Sequence, residues 1–153
     1  MIYLRLADLG DAQFLLECRN DNSTRECSHN SEKIKYDSHI QWLTKTLAST
    51  SRKLYVAEMK GNPVGTARVD LHVDDGKNIA ELSWIVSPKY RGNGICKPMM
   101  KKVVKAIDQD ILIYAEIKKD NLGSIKIAEY LGMVLTKENS GILCFSGNSV
   151  NLS

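Results

Sequence analysis

At 153 residues, with 43% hydrophobic and 25% charged side chains, the chain has the make-up of one ordinary globular domain; a disordered chain and a pair of full-sized domains are both excluded. A formal net charge of +3, spread over interleaved lysines and acids, demands no nucleic-acid partner, and no apolar run approaches the ~18 residues of a membrane-spanning helix. Arg5 and Asp8 interrupt the opening MIYLRLADLGD too early for a signal-peptide core, so a cytoplasmic location is expected.

The first element is IYLRLA, Ile2 to Ala7, whose alternation is that of a half-buried strand; Asp8 then caps a helix carrying Phe14, Leu15 and Cys18. Arg19 to Ile34 is polar and aperiodic and reads as a long loop. In DSHIQWLTKTL, Asp37 is the expected N-cap of a second helix with Ile40, Leu43 and Leu47 on one face. Two strands, Lys53 to Met59 and Val64 to Val73, flank the turn Lys60-Gly61-Asn62-Pro63, and a third, Ile79 to Val86, follows DDGKN and ends before Pro88, giving an antiparallel meander.

From Ile95 onward, Met99, Val103 and Ile107 recur at helical spacing. Pro98 places the helix start close to Gly94, because a first-turn residue has no intrahelical carbonyl partner to lose. Ile111 to Ile117 is a continuous apolar strand, DNLGSIKIAEYLG is a helix capped by Asp120 or Asn121 and stopped by Gly132, and GILCFSG is a last strand. The order implies one α+β domain spanning 1–153. Cys18, Cys27, Cys96 and Cys144 form no C-x-x-C pair, and His29, His39 and His72 do not fall at zinc-ligand spacing with them, so reduced thiols and no metal are expected.

The chemistry concentrates in VSPKYRGNGIC. An arginine and two spaced glycines feeding a helix amino terminus bring several backbone N–H groups and the positive end of the helix dipole to one small volume, which suits a pyrophosphate. It is neither a P-loop nor G-x-G-x-x-G, and on spacing alone a plain strand-to-helix turn remains open. This stretch resembles the acetyl-CoA signature R-x-x-G-x-G/A of the GNAT superfamily of N-acyltransferases, and DNLGSIKIAEYLGM resembles that family's second motif. The element order is similar to the family plan β-α-α-β-β-β-α-β-α-β-β, which implies a GNAT fold: a mixed, mainly antiparallel sheet of six to seven strands flanked by four helices.

The resemblance implies that acetyl-CoA is the co-substrate. Backbone groups from Arg91, Gly92, Asn93, Gly94, Ile95 and Cys96 would cradle its pyrophosphate, a bulge near Ile85 and Val86 would pair with the pantetheine, and Asn121 and Ser124 would contact the pantetheine arm. It also implies direct attack by an amine in a ternary complex, with Glu81 as base, since several family members carry a base glutamate at this place. The thiolate acid, usually a tyrosine seven residues after the asparagine, falls on Ala128; Tyr130 is the nearest substitute, two residues on and roughly 200° around the helix from Ala128, with Tyr90, Tyr114 and solvent as further sources of the proton.

For the acceptor, LECRNDNSTRECSHNSEKIKYDSHIQWL resembles the acetyltransferases that act on 4-amino sugar nucleotides in pseudaminic and related nonulosonic acid pathways. Arg19, Arg25 and Arg68 would then meet a diphosphate, Asn20 and His39 hydroxyl or acetamido groups, and Trp42 a ring face, although a core role for Trp42 stays open. The implied partner is a small-molecule amine, a UDP-linked amino sugar, with a homodimer left open. A protein N-terminus, a peptide or another small amine is the alternative acceptor, and a non-catalytic acyl-CoA-binding module is the third possibility.

Overall fold

The computed structural model describes residues 1–27 and 32–148. Its frame is a seven-stranded sheet in the order β1-β2-β3-β4-β5-β7-β6, with β1 Ile2–Leu6, β2 Arg52–Met59, β3 Asn62–Asp74, β4 Lys77–Val86, β5 Leu112–Lys118, β6 Val134–Asn139 and β7 Ile142–Asn148. Every neighbouring pair is antiparallel except β4 and β5, which run parallel. The β2–β3 and β3–β4 turns close through left-handed residues, Lys60 and Gly61 in the first and Asp75 and Gly76 in the second, as twisted hairpins require.

Among the described residues five α-helices flank the sheet, four of them longer than two turns: α1 Ala12–Asn20, α3 Tyr36–Ala48, α4 Cys96–Lys105 and α5 Leu122–Tyr130, with the short α2 Asn22–Cys27. Asp8 caps a 3-10 turn, Leu9–Asp11, instead of α1 itself, and Asp11 returns the bond to the Asp8 N–H, a reciprocal capping box that steers the chain into α1. Asp37 lies inside the first turn of α3 and Lys35 occupies the cap position without a side-chain bond, so Asp37 acts on the helix dipole and not as the cap. Asn121 caps α5, its side chain accepting from the Ser124 N–H at 3.2 Å. Part of the stretch read as loop is α2, and residues 28–31 of that stretch, His29 among them, lie outside the described residues.

The two faces of the sheet carry different loads. On one, Met99, Met100 and Val103 of α4 and Ile127 and Ala128 of α5 pack on Ala67, Val69, Ala80, Leu82, Ala115 and Ile117. On the other, Leu15 of α1 and Leu43 of α3 close over Leu54 and Val56. Both clusters drive their surfaces together by removing apolar area from water.

Candidate active site

The site is made by a shortage of pairing. The parallel ladder between β4 and β5 holds for three residue pairs, Ile79 with Leu112, Ala80 with Ile113 and Glu81 with Tyr114, and then stops. Beyond it β4 continues to Val86 and β5 to Lys118, each still paired on its outer side, so the inner edges diverge and leave main-chain donors and acceptors facing the gap. The ladder of β4 with β3 runs to Gly65 and Val86 without a register shift. The expected bulge at Ile85 and Val86 is therefore absent, and the strands are parted by the divergence itself.

A cleft of about 1020 Å³ runs through this gap, with lining residues from both faces of the sheet. On the α4 and α5 side lie Leu82, Trp84, Ile117, Asn121, Ser124 and Ile127; on the other lie Arg19, Trp42, Arg68, Glu81 and Glu116. Ile85 and Val86 line it.

At one mouth of the cleft the chain turns through Arg91, Gly92, Asn93, Gly94 and Ile95 into α4. Gly92 and Gly94 have φ of 82° and 69°, and a Cβ on either would meet nothing within 4 Å. Conformation, not crowding by the protein, therefore requires glycine at both positions. Ile95 at the helix cap offers no side-chain bond, so the first N–H groups of α4 remain available, and Pro98, inside the first turn, removes none that the helix uses. Asn93 bonds back to the Tyr90 carbonyl at 3.0 Å and braces the loop. Burial pushes the Cys96 thiol up to about 12, which leaves it a neutral small side chain. This uncapped amino terminus and the unpaired β4 edge fit a ligand carrying a pyrophosphate and an amide-bearing arm.

Arg91 is committed in part already. Its Nη1 donates to Asp21 at 2.8 Å and its Nη2 to Thr24 at 3.0 Å, which draws the start of α2 to the loop, while Lys118 on the far lip donates to the Glu26 carbonyl at 3.1 Å. Helix α2 thus spans the mouth from the Arg91–Ile95 loop to β5.

The other end of the cleft is cationic and aromatic. The Arg19 guanidinium stands 3.9 Å over the Trp42 ring, and that of Arg68 lies 5.9 Å from the same ring. Arg68 is neutralised by Asp70 at 3.0 Å, whereas no carboxylate of the described residues pairs with Arg19. Burial first, and then the charge of Arg68, lower the Arg19 pKa to about 10, so it is still a cation at neutral pH.

His39 is fully buried and does not line the cleft; it accepts from Arg19 on Nδ1 at 3.0 Å and donates from Nε2 to the Ala12 carbonyl at 2.9 Å. Burial holds its pKa below the ordinary histidine value, which preserves the neutral tautomer that this pair of bonds needs. Asn20 is likewise turned away from the cleft, its amide exchanging two bonds with the main chain of Ile34 at 2.8 and 2.7 Å. These two side chains shape the site without lining it.

Glu81 lines the cleft where the ladder ends, opposite Asp70 on β3 and Tyr114 on β5. Burial, and then the charges of Glu116 and Asp70, raise its carboxyl above the ordinary glutamate range, against smaller lowering by His72 and Arg68. Tyr130 is 44% exposed, has Lys97 5.1 Å from its ring and is not among the lining residues, while Ala128 is buried in the α4 and α5 core. Many lining residues escaped the sequence reading, Thr24 and Glu116 among them. Thr24 carries no signal, but Glu116 alternates with Ile113, Ala115 and Ile117 and shares a strand face with Tyr114.

Among the described residues no group of three or more His, Cys, Asp or Glu is arranged to hold a metal ion, and no helix is long and apolar enough to cross a membrane. Residues 2–134 match the model of the acetyltransferase (GNAT) domain family. No curated protein matches the chain significantly in sequence. Solved structures match the fold throughout: spermidine N-acetyltransferase from Vibrio cholerae in complex with CoA and spermine has 16% identity and a TM-score of 0.86, covering 99% of this chain and 97% of that one. An aminoglycoside acetyltransferase in complex with coenzyme A has 18% identity and a TM-score of 0.82, with 99% and 96% covered. The yncA protein of Salmonella typhimurium with acetyl-CoA has 19% identity and a TM-score of 0.75, with 97% and 94% covered.

Proposed function

The chain belongs to the acetyltransferase (GNAT) domain family, an acetyl-CoA-dependent N-acetyltransferase, and on that premise we propose that its acceptor is the 4-amino group of a UDP-linked amino sugar. The observation that carries the acceptor is Arg19: a half-buried cation on an aromatic face, beside Arg68 and without a carboxylate among the described residues, is an uncompensated charge that an acceptor diphosphate would match. His39 serves this reading by orienting Arg19, and Asn20 by fixing Ile34, which lines the cleft.

In the proposed reaction the Arg91–Cys96 loop holds the pyrophosphate, the free edge at Ile85 and Val86 holds the pantetheine amide, and Asn121 and Ser124 border the arm. The acceptor nitrogen forms its bond to the acetyl carbon as the carbon–sulfur bond breaks. Glu81 takes a proton from the nitrogen; its raised pKa makes it a stronger base than an exposed glutamate. With Ala128 buried and Tyr130 apart from the cleft, the thiolate is protonated by solvent in this reading. Arg19, Glu81 and Arg91 come from one chain, so the reaction is complete in a protomer, in or out of a homodimer, and we place it in the cytoplasm with its co-substrate.

The test is free-thiol release from acetyl-CoA with UDP-4-amino-4,6-dideoxy sugars, N-terminal peptides and polyamines as acceptors. Turnover confined to the nucleotides, with the acceptor KM of Arg19→Ala raised roughly ten- to a hundredfold, is expected. Turnover on peptides or polyamines with no response to nucleotide overturns the acceptor and leaves the acetyltransferase in place; acetyl-CoA binding without transfer to any amine overturns the enzyme reading.

A further inference from the structure

We propose that Asp70 is a positioning residue of this site: it holds the Arg68 guanidinium on its own carboxylate and so keeps that cation off Glu81. The inference rests on the reading of Glu81 as base above and adds what leaves Glu81 unpaired beside an arginine.

The geometry is a row of side chains across the sheet. Arg52 of β2 stands opposite Asp70 of β3, Asp70 opposite Glu81 of β4, and Glu81 opposite Tyr114 of β5, so all four share one face. Arg68 precedes Asp70 by two residues on that face and stands opposite Ser83, which makes Glu81 its diagonal neighbour, ~7–8 Å away between strands and within reach of a long side chain. Two carboxylates thus compete for one guanidinium. The structure gives it to Asp70: Arg68 Nε donates to Oδ2 at 3.2 Å and lies 3.0 Å from Oδ1, whereas among the described residues no hydrogen bond or ion pair engages Glu81.

Asp70 acts from behind the cleft. Arg68 and Glu81 line it, and Asp70 does not. Its Oδ1 is buried without a hydrogen bond and has Arg52 Nε at 3.6 Å from the β2 side, so two cations keep this carboxylate charged and in place. The bond to Asp70 uses Nε, which leaves the terminal nitrogens of Arg68 to the acceptor end of the cleft, 5.9 Å from the Trp42 ring as measured at the guanidinium carbon. The charged groups acting on Glu81 are Glu116 from β5, which the Tyr114 hydroxyl binds, and Asp70, Arg68 and His72 from β3; Arg19 of α1 and Arg68 act on each other. A guanidinium seated on Glu81 would stabilise its ionised form and make it a poorer base.

The test is a carbon-13 NMR titration of the Glu81 carboxyl in the free protein, assigned by its loss in Glu81→Gln, beside the pH profile of kcat at saturating acceptor. In Asp70→Asn, Arg68 turns to Glu81: the Glu81 midpoint and the acid limb of kcat move to lower pH by about one unit or more, and kcat falls about tenfold. Arg68→Gln leaves Asp70 unscreened and moves both to higher pH. The double variant brings the midpoint back toward that of the wild type and is faster than Asp70→Asn, which a merely structural role of Asp70 would not produce, and Asp70→Glu keeps the midpoint in place. An unmoved midpoint in Asp70→Asn, shifts of one sign in both single variants, or a double variant no faster than Asp70→Asn overturns the proposal. Where Asp70→Asn does not fold, Arg68→Gln decides, and a midpoint unmoved or lowered there overturns it. An unchanged kcat profile in Glu81→Gln overturns the base role alone, and the NMR midpoints still decide whether Asp70 keeps Arg68 off Glu81.

Discussion

Glu81→Gln separates what the glutamate does for the reaction from what it costs the fold. The substitution keeps shape and removes charge at a position whose carboxyl is raised by burial and by Glu116 and Asp70, with Arg68 already engaged by Asp70. Removing a general base lowers kcat by about 10²- to 10⁴-fold. The stability effect has the opposite sign. A glutamate whose folded pKa lies above its unfolded one binds more protons folded than unfolded between the two values, so stability falls as pH rises through that window and stays lowered above it. Glutamine removes this penalty: the variant is expected to be more stable than the wild type at pH 7.5 and to lose its advantage below about pH 4, near the unfolded glutamate value. Urea unfolding at the two pH values, beside thiol release across the pH range, measures both effects. A rate loss under about tenfold with an unchanged acid limb would refute the role of base, and a less stable variant at pH 7.5 would refute the electrostatic account of the site.

Three further outcomes follow from the geometry. Gly94→Val, at φ 69°, strains the Arg91–Cys96 loop and is expected to weaken acetyl-CoA binding about tenfold by calorimetry, with a stability loss of about 1–2 kcal/mol. Arg91→Ala removes both the loop's cation and the ties to Asp21 and Thr24, so the Kd for acetyl-CoA and the KM for the acceptor rise together, whereas Arg19→Ala moves the acceptor KM alone. Asp11→Asn breaks a two-bond pair with Arg5, at 2.8 and 2.7 Å, on a carboxylate that is 8% exposed and that Arg5 holds below the ordinary range; it costs about 2 kcal/mol at neutral pH. Because that folded pKa is lowered, the difference between Asn and Asp shrinks as pH falls below the ordinary aspartate value and through the folded one, which denaturant melts at pH 7 and pH 3 will show.

Most of the architecture was legible because its signals were periodic. The helical spacing of Met99 and Val103 reports a one-sided burial that α4 then realises, and the alternation in Ile2 to Ala7 and the asparagine cap at Asn121 mark a strand and a helix start that the fold contains. Strand β6 gave no such signal, since all six of its residues are exposed and a strand wetted on both faces has no alternation to read. Helix α2 is polar throughout and is tied down by Arg91 and Lys118, partners far away in sequence that no local pattern announces.

At the site, the Arg91–Cys96 turn into α4 stood out as a local motif, and Arg19, His39 and Arg68 were picked out by residue type. Their division of labour was not. Sequence does not show that His39 orients Arg19 from within the core, that Asn20 is spent on Ile34, or that the strands part after Glu81 without a bulge, because each depends on what another element brings alongside. Glu116 was hidden differently: its strand reads as a core run, and only the early end of the ladder turns its face into a lining.

The three-rung seam between β4 and β5 also has a mechanical meaning. Four strands on one side and three on the other are joined edge to edge by Ile79–Glu81 and Leu112–Tyr114 alone, so the sheet is a zipper closed at one end. A ligand amide seated along Ile85 and Val86 acts as teeth in the open part. The alternate amides of Leu82 to Val86 that point away from β3 into the gap should then exchange with deuterium quickly in the free protein and slowly once acetyl-CoA is bound, with the added resistance to unfolding growing as the logarithm of ligand concentration. On the proposed reading the co-substrate is in part a strand.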